Sequence, residues 1–265
     1  MKKLLYIIAA CATLFTACEK GTLVETTEYE KVAPGDPKYS YVKILNLTPS
    51  SPVINYYIDG PKFTSALSST GLETAGFAYN GLFPDLGYAV TSPGNHQLTA
   101  KILPKATVDP GLQVLDKQIT TAPGKYYTVI TGGTYGLDKT IPSILVLEDK
   151  KPALDTSKVF VRLVNFYNGG PSYDLVKDSA TGTKLISNVA FGTASEFVEI
   201  PGTAGVGGST ASVKLFFNNS ATGVTQIAAG TTLNFPKGRA YTVYTRGILG
   251  NTLFPFSATF YTTFY

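Results

Sequence analysis

The chain contains no tryptophan, one methionine, one histidine and two cysteines in 265 residues. Each shortage excludes some chemistry. A Ser-His-Asp arrangement would have to use His96, and a lone histidine lacks the partners a zinc site needs. No Gly-x-Ser-x-Gly elbow and no Asp-x-Asp-x-Asp-Gly calcium run occurs. Charged residues are scarce at 15%, and Lys and Arg outnumber Asp and Glu only 22 to 18, with no basic stripe for nucleic acid. The longest apolar run, Leu4 to Phe15, is shorter than the roughly 18 residues of a membrane-crossing helix. No helix of useful length is expected.

Other candidates for chemistry have plainer explanations. His96 follows Pro93-Gly94-Asn95 and is expected at the surface, starting an exposed strand. The glycine-rich stretch from Gly202 to Thr210 lacks the lysine and the following helix of a phosphate cradle, so it reads as an interstrand loop. Asp59 and Asp178 are the best carboxylate pair. They fall in different repeats, however, and glycoside hydrolysis needs two carboxylates across one cleft, so turn capping is expected instead. No catalytic residue, metal site or cofactor is expected, and the chain reads as non-enzymatic.

The amino terminus carries a positive information-bearing feature. Lys2 and Lys3 precede the apolar stretch, and Phe15-Thr16-Ala17-Cys18 closes it with small residues and a cysteine. This is export-signal grammar. An ordinary secretory signal would also end in small residues, and the cysteine makes the distinction. The segment resembles the signal of bacterial lipoproteins. That resemblance implies cleavage before Cys18, lipidation of Cys18, and attachment to a membrane through several acyl chains, which anchor stably where one does not. Cys11 would leave with the signal, so no disulfide is expected. Glu19, where inner-membrane retention often uses Asp, implies the outer membrane of a Gram-negative bacterium. Whether the protein faces the periplasm or the cell surface stays open.

Beyond residue 38 the sequence repeats itself. Gly124-Lys125-Tyr126-Tyr127-Thr128-Val129-Ile130-Thr131 continues to Gly136, and Gly238-Arg239-Ala240-Tyr241-Thr242-Val243-Tyr244-Thr245 continues to Gly250. The two 13-residue stretches share seven identities without a gap. Val42-Lys43-Ile44-Leu45-Asn46-Leu47 likewise matches Val161-Arg162-Leu163-Val164-Asn165-Phe166. A period above 100 residues is too long for a solenoid and reads as duplicated domains. The expected organisation is a signal at 1–17, a lipidated tether at 18–38, a module at 39–148, a polar linker at 149–156 and a second module at 157–265.

Within each module, short apolar runs rich in Val, Ile, Tyr and Thr are separated by Pro-Gly and Lys-Gly turns. Candidate strands are 42–47, 53–59, 96–102 and 126–131, then 159–165, 173–176, 211–217 and 240–245. In the last segment Phe254, Phe256, Ala258 and Phe260 share one face. About seven strands per module argue for two tandem Ig-like β-sandwiches, an all-β fold. The Val-Lys/Arg-x-x-Asn opening, the central Pro-Gly and the closing Gly-x-x-Tyr-Thr-Val resemble a bacterial family of domains of unknown function. Its members imply Ig-like or transthyretin-like sandwiches, often in tandem in exported lipoproteins.

Asn46 and Asn165 repeat at strand ends and are expected to tie down loop backbone. Tyr56, Tyr57 and Tyr135 are the candidate ligand contacts, since tyrosine faces stack on sugars. Alternation puts Tyr56 and Tyr57 on opposite faces, so both cannot join one platform. The expected function is a lipid-anchored cell-envelope protein presenting its sandwiches to a protein or glycan partner. The alternatives are a surface glycan-binding protein of a polysaccharide-uptake system and a fimbrial or adhesin subunit.

Overall fold

A computed structural model describes residues 30–65, 76–204 and 209–265. The export segment, Cys18, most of the expected tether and the centre of the Gly202–Thr210 loop lie outside the described residues. The chain divides after Pro34, and Gly35–Tyr265 forms one compact unit.

The described residues are all strand, turn and loop. In chain order the strands are β1 Ser40–Asn46, β2 Ile54–Ile58, β3 Leu82–Phe83, β4 Ala89–Thr91, β5 Gly94–Ile102, β6 Gln113–Thr121, β7 Tyr126–Gly132 and β8 Ser143–Glu148. They continue as β9 Val159–Asn168, β10 Tyr173–Lys177, β11 Thr183–Val189, β12 Thr193–Ala194, β13 Val198–Glu199, β14 Thr210–Asn219, β15 Thr231–Pro236, β16 Arg239–Ile248 and β17 Ser257–Phe264.

These strands form four sheets. The first is β2-β5-β6, and the second is β1-β7-β8 with β3 and β4 on the free side of β1. The third is β9-β16-β17 with β12 and β13 on the free side of β9, and the fourth is β11-β10-β14-β15. The second and third repeat one pattern. Each centres on a parallel ladder, β1 with β7 and β9 with β16, in a fold whose other pairings are antiparallel. Lys43 stands opposite Thr128 in one ladder and Arg162 opposite Thr242 in the other.

Three apolar clusters hold the sheets together. Val42 and Ile44 of β1 and Val129 of β7 meet Ile54, Tyr56, Leu98, Ala100 and Ile119 from the first sheet. Val161, Leu163, Tyr241 and Val243 meet Tyr173, Leu175, Val213, Leu215 and Phe217 from the fourth. The third cluster joins the halves: Leu45, Leu47 and Ile130 pack on Val164, Phe166, Tyr244 and Tyr261. The layers therefore stack as first, second, third, fourth.

That stacking explains the composition of the central strands. Alternate residues of a strand point to opposite faces. On β1, Val42 and Ile44 serve one core while Lys43 and Leu45 face the other half, and all seven β1 residues are buried. Strands covered on both faces carry apolar residues on both; β1 and β9 do so, interrupted by the buried Lys43 and Arg162. At the junction, Gly132 lies so close to Phe166 that a Cβ would sit 2.1 Å from the ring. Asp149, expected in a polar linker, is instead buried at 3% exposure between the halves, because its carboxylate answers the buried Arg162.

Candidate functional site

The outer face of the first sheet is a polar surface fixed by its own register. Since Ile54, Tyr56 and Ile58 point inward, Asn55 and Tyr57 point outward. Tyr57 lies opposite Thr99, and Thr99 opposite Asp116. Asn55 lies opposite Lys101, and Lys101 opposite Gln113; Gln97 pairs with Gln118. The three strands thus lay out amides, a carboxylate, a lysine and one tyrosine in neighbouring rows.

These side chains engage one another. Gln97 Nε2 donates to Asp116 Oδ1 at 3.0 Å, and Gln113 Nε2 donates to Asp116 Oδ2 at 3.2 Å. Both carboxylate oxygens are held while each amide keeps its oxygen for another donor. Lys101 Nζ sits 5.2 Å from the centre of the half-buried Tyr57 ring, within cation–π range. Asn55 is buried, and its Oδ1 has no hydrogen-bond partner among the described residues. Such a surface offers donors and acceptors beside an aromatic ring.

The three candidate tyrosines separate. Tyr56 is 1% exposed, and its hydroxyl shares a 2.8 Å hydrogen bond with Thr131 Oγ1. Burial drives its hydroxyl pKa well above the ordinary tyrosine value. It is a core residue and is withdrawn as a ligand contact, because inward alternation places it among Ile54, Ile58 and Leu98. Tyr57 occupies the outer face. Tyr135 folds back from the β7–β8 loop, its N–H donating to Pro49 O at 3.1 Å while its ring packs partly against the first core.

His96 also departs from the sequence reading. It is 3% exposed, not a surface residue. Its Nδ1 lies 2.6 Å from Asp59 Oδ2, and its Nε2 lies 2.7 Å from Ser92 O. The inward register of β5 puts it in line with Leu98 and Ala100. Hydrogen bonds from His96 and from the Gln97 N–H hold the Asp59 carboxyl below its ordinary range. Asp59 and Asp178 occupy corresponding corners with positive φ, 53° and 74°. The Asp59 N–H donates to Gln97 O and the Asp178 N–H to Lys214 O, at 3.0 and 2.9 Å. The two aspartates therefore close equivalent turns of different sheets.

A second polar cluster lies between the halves. Arg162, 2% exposed, bonds Asp149 through Nη2 and Thr242 Oγ1 through Nε at 2.8 Å. Asp149 Oδ2 also accepts from Tyr88 at 2.8 Å and Thr128 at 2.7 Å. Lys43 donates to Pro84 O at 2.7 Å and lies over the Tyr88 and Tyr261 rings. Burial lowers its pKa to about 8, partly offset by Asp149 and Asp85. The charged groups of this cluster are buried and bonded to one another or to neighbouring backbone, so it serves the joint between sheets. Its residues were legible as a repeat, Lys43 with Arg162, but their inward direction was not. The Gln97–Asp116–Gln113 group gave no sequence signal, because its members lie on two strands brought together only by pairing.

Comparison with known proteins gives a family and two structural likenesses. Residues 40–176 match the family described as "Domain of unknown function (DUF4397)", a span running from β1 through most of β10. No curated protein matches. One similar solved structure is CBMbc, a family CBM26 module from Eubacterium rectale Amy13K in complex with maltoheptaose. It shows 15% identity and a TM-score of 0.24, over 84% of this chain and 97% of that one. Another is a candidate cell adhesion protein from Bacteroides fragilis NCTC 9343, with 10% identity and a TM-score of 0.18, over 85% of this chain and 98% of that one. Neither score is high enough to carry an argument about function.

Proposed function

Taking as premise that the chain belongs to the DUF4397 family, we propose that it is an exported, lipid-anchored, non-catalytic protein that binds glycan on the outer face of its first sheet. The observation that carries this reading is the row of Tyr57, Thr99 and Asp116, flanked by Gln97, Gln113 and Lys101. Hydroxyl-rich ligands need planar donors and acceptors with one ring to stack on. Stable protein partners generally bury a more apolar patch centre than this face offers. The one histidine has both ring nitrogens engaged by Asp59 and Ser92, which supports binding over catalysis.

The anchor in this proposal is Cys18, acylated after removal of residues 1–17, in the outer membrane of a Gram-negative envelope. The side of the membrane follows from where the glycan lies. Residues 18–38 would link the lipid to the folded body, whose chain begins at Gly35 beside the Gly124 turn. Affinity electrophoresis of the full chain against a panel of polysaccharides tests the reading. Retardation lost on Tyr57→Ala and on Asp116→Ala, with both variants folded, is expected; retardation that survives both changes overturns the assigned face. Palmitate labelling that persists in Cys18→Ala would remove the anchor.

A further inference from the structure

The row of Tyr57, Thr99 and Asp116 runs across the strands, not along them. Neighbouring strands lie about 4.8 Å apart, so the row spans about 10 Å from β2 to β6. β6 is the last strand of its sheet. Beside it lies a bowl of about 320 Å³, between Gln113–Lys117 of β6 and Thr140–Pro142 of the β7–β8 connection. The bowl and the polar face share Gln113 and Asp116. They form one continuous surface, open over the sheet and walled at its end.

Several contacts hold that wall. Ile141 is buried in the first core, and its N–H donates to Val114 O at 2.7 Å. Pro142 packs on Gly133, where φ is 80° and a Cβ would sit 2.3 Å from the proline ring. Lys139 Nζ pairs with Asp109 at 2.8 Å, tying the connection to the β5–β6 loop. Thr140 Oγ1 donates a hydrogen bond to Asp138 Oδ2 at 2.5 Å, which leaves its lone pairs to accept. The counterpart connection of the second half, 249–256, turns back on its own ladder through Ile248 N to Phe254 O. Among the described residues no backbone hydrogen bond joins it to β15. The wall is a feature of the half that carries the polar face.

The lining suits one sugar ring. Val114, Ile141 and Pro142 offer apolar surface to a ring face, while Asp116, Thr140 and the exposed Lys117 supply acceptors and donors around it. Small-ligand pockets combine such an apolar lining with a few polar groups, and start at about 300 Å³.

We infer that the glycan is held by its end: the chain lies across the strands over Tyr57, and its terminal pyranose seats in the bowl against Thr140–Pro142. This rests on the glycan reading of the face and adds the ligand class, glycans that present free chain ends. A chain continuing past β6 along the row would run into the wall.

The test uses the full chain in mild detergent and a polysaccharide that retards it, cut by partial hydrolysis to half its mean length. End binding follows the number of ends, so the apparent affinity at equal polysaccharide mass should rise about twofold. Calorimetry on size-fractionated chains should give a protein-to-chain ratio that stays constant as length grows. Thr140→Trp, at an exposed position, fills the bowl and should weaken binding about tenfold with strand content unchanged. If Thr140→Trp does not fold, the length series on the unsubstituted protein decides. Affinity per mass that ignores cutting, a ratio that grows with length, or a folded Thr140→Trp that binds normally overturns the inference and leaves the face in place. Retardation by no polysaccharide at all overturns the glycan reading, and the inference with it.

Discussion

Lys43 and Arg162 occupy the same place in the two parallel ladders, opposite Thr128 and Thr242, yet they are neutralised differently. Arg162 bonds Asp149 directly, while Lys43 donates a hydrogen bond to the Pro84 carbonyl and rests over two tyrosine rings. Two buried cations thus face the junction between the halves, and one carboxylate is placed against only one of them. The stability of the joint should respond to each in a distinct way.

Removing the carboxylate strands a buried guanidinium. Asp149→Ala should destabilise the protein by about 3–5 kcal/mol, the usual cost of breaking a buried pair from one side. The double change Asp149→Leu with Arg162→Met removes both charges and should recover most of that loss. Urea unfolding of the three proteins measures it. A double variant no more stable than Asp149→Ala would show that the charges are not coupled.

Lys43 should make stability depend on alkaline pH. Burial lowers its folded pKa to about 8 from 10.5. Between those values the unfolded chain holds more protons, so the unfolding free energy rises with pH. Its slope can approach about 1.4 kcal/mol per pH unit, the limit for one proton. Above the ordinary tyrosine value of 10.0 the sign reverses, because burial raises the pKa of Tyr88 and Tyr244 and the unfolded chain ionises first. Denaturant titrations from pH 7 to 11 should give a maximum near 10, and Lys43→Met should flatten the rising limb.

Asn165, three residues before the end of β9, makes four hydrogen bonds. Its Oδ1 accepts from Tyr167 N at 3.1 Å and Thr245 Oγ1 at 2.9 Å, while Nδ2 donates to Pro171 O and Val189 O, each at 3.0 Å. Asn46 repeats the motif with Thr48 N and Thr131 Oγ1. Asn165→Ala leaves several buried groups unmatched and should cost about 2–4 kcal/mol at roughly 1 kcal/mol or more per lost bond. Asn165→Asp keeps the acceptor but turns its second oxygen toward the Pro171 and Val189 carbonyls in a fully buried site, and should cost at least as much as Asn165→Ala. Thermal unfolding ranks the three.

His96→Val tests whether the Asp59 contact is structural. The corresponding strand of the second half has Val213 where the first has His96, as the matching bonds of Asp59 to Gln97 and Asp178 to Lys214 show. Asp59 is half exposed, so solvent screens its contribution and the change should cost less than about 1 kcal/mol at pH 7. Because its folded pKa is depressed below 3.8, Asp59 adds stability above that value and loses it as pH falls through the lower folded value. Acid titration of His96→Val should show a shallower loss below pH 4 than the unsubstituted protein.

Much of the strand framework was legible in the sequence. Period-two alternation put Phe254, Phe256, Ala258 and Phe260 on one face; the last three pack on the second core, while Phe254 precedes β17 and meets the Tyr79 ring. The β1 and β9 runs were evident as matching repeats of mostly apolar residues. The repeat anticipated that Lys43 and Arg162 would correspond, and that Asn46 and Asn165 would tie down loops. What escaped was direction and partnership. A charge within a strand reads as solvent-facing until a second sheet covers that face, so Lys43, Arg162 and Asp149 were not assigned to an interior. His96 followed a Pro-Gly turn and looked exposed, but alternation along β5 puts it on the inward face with Leu98 and Ala100. The Gln97–Asp116–Gln113 group depends on the pairing of β5 with β6, and β6 was not among the expected strands.

Chemical-shift mapping of the isotopically labelled full chain, titrated with a soluble oligosaccharide from a polysaccharide it retards, tests the proposed binding face most directly. The account predicts perturbations concentrated at Tyr57, Gln97, Thr99, Lys101, Gln113 and Asp116, and none of comparable size on the fourth sheet. Perturbations confined to β10, β14 and β15, or to the loop around Tyr135, would contradict it.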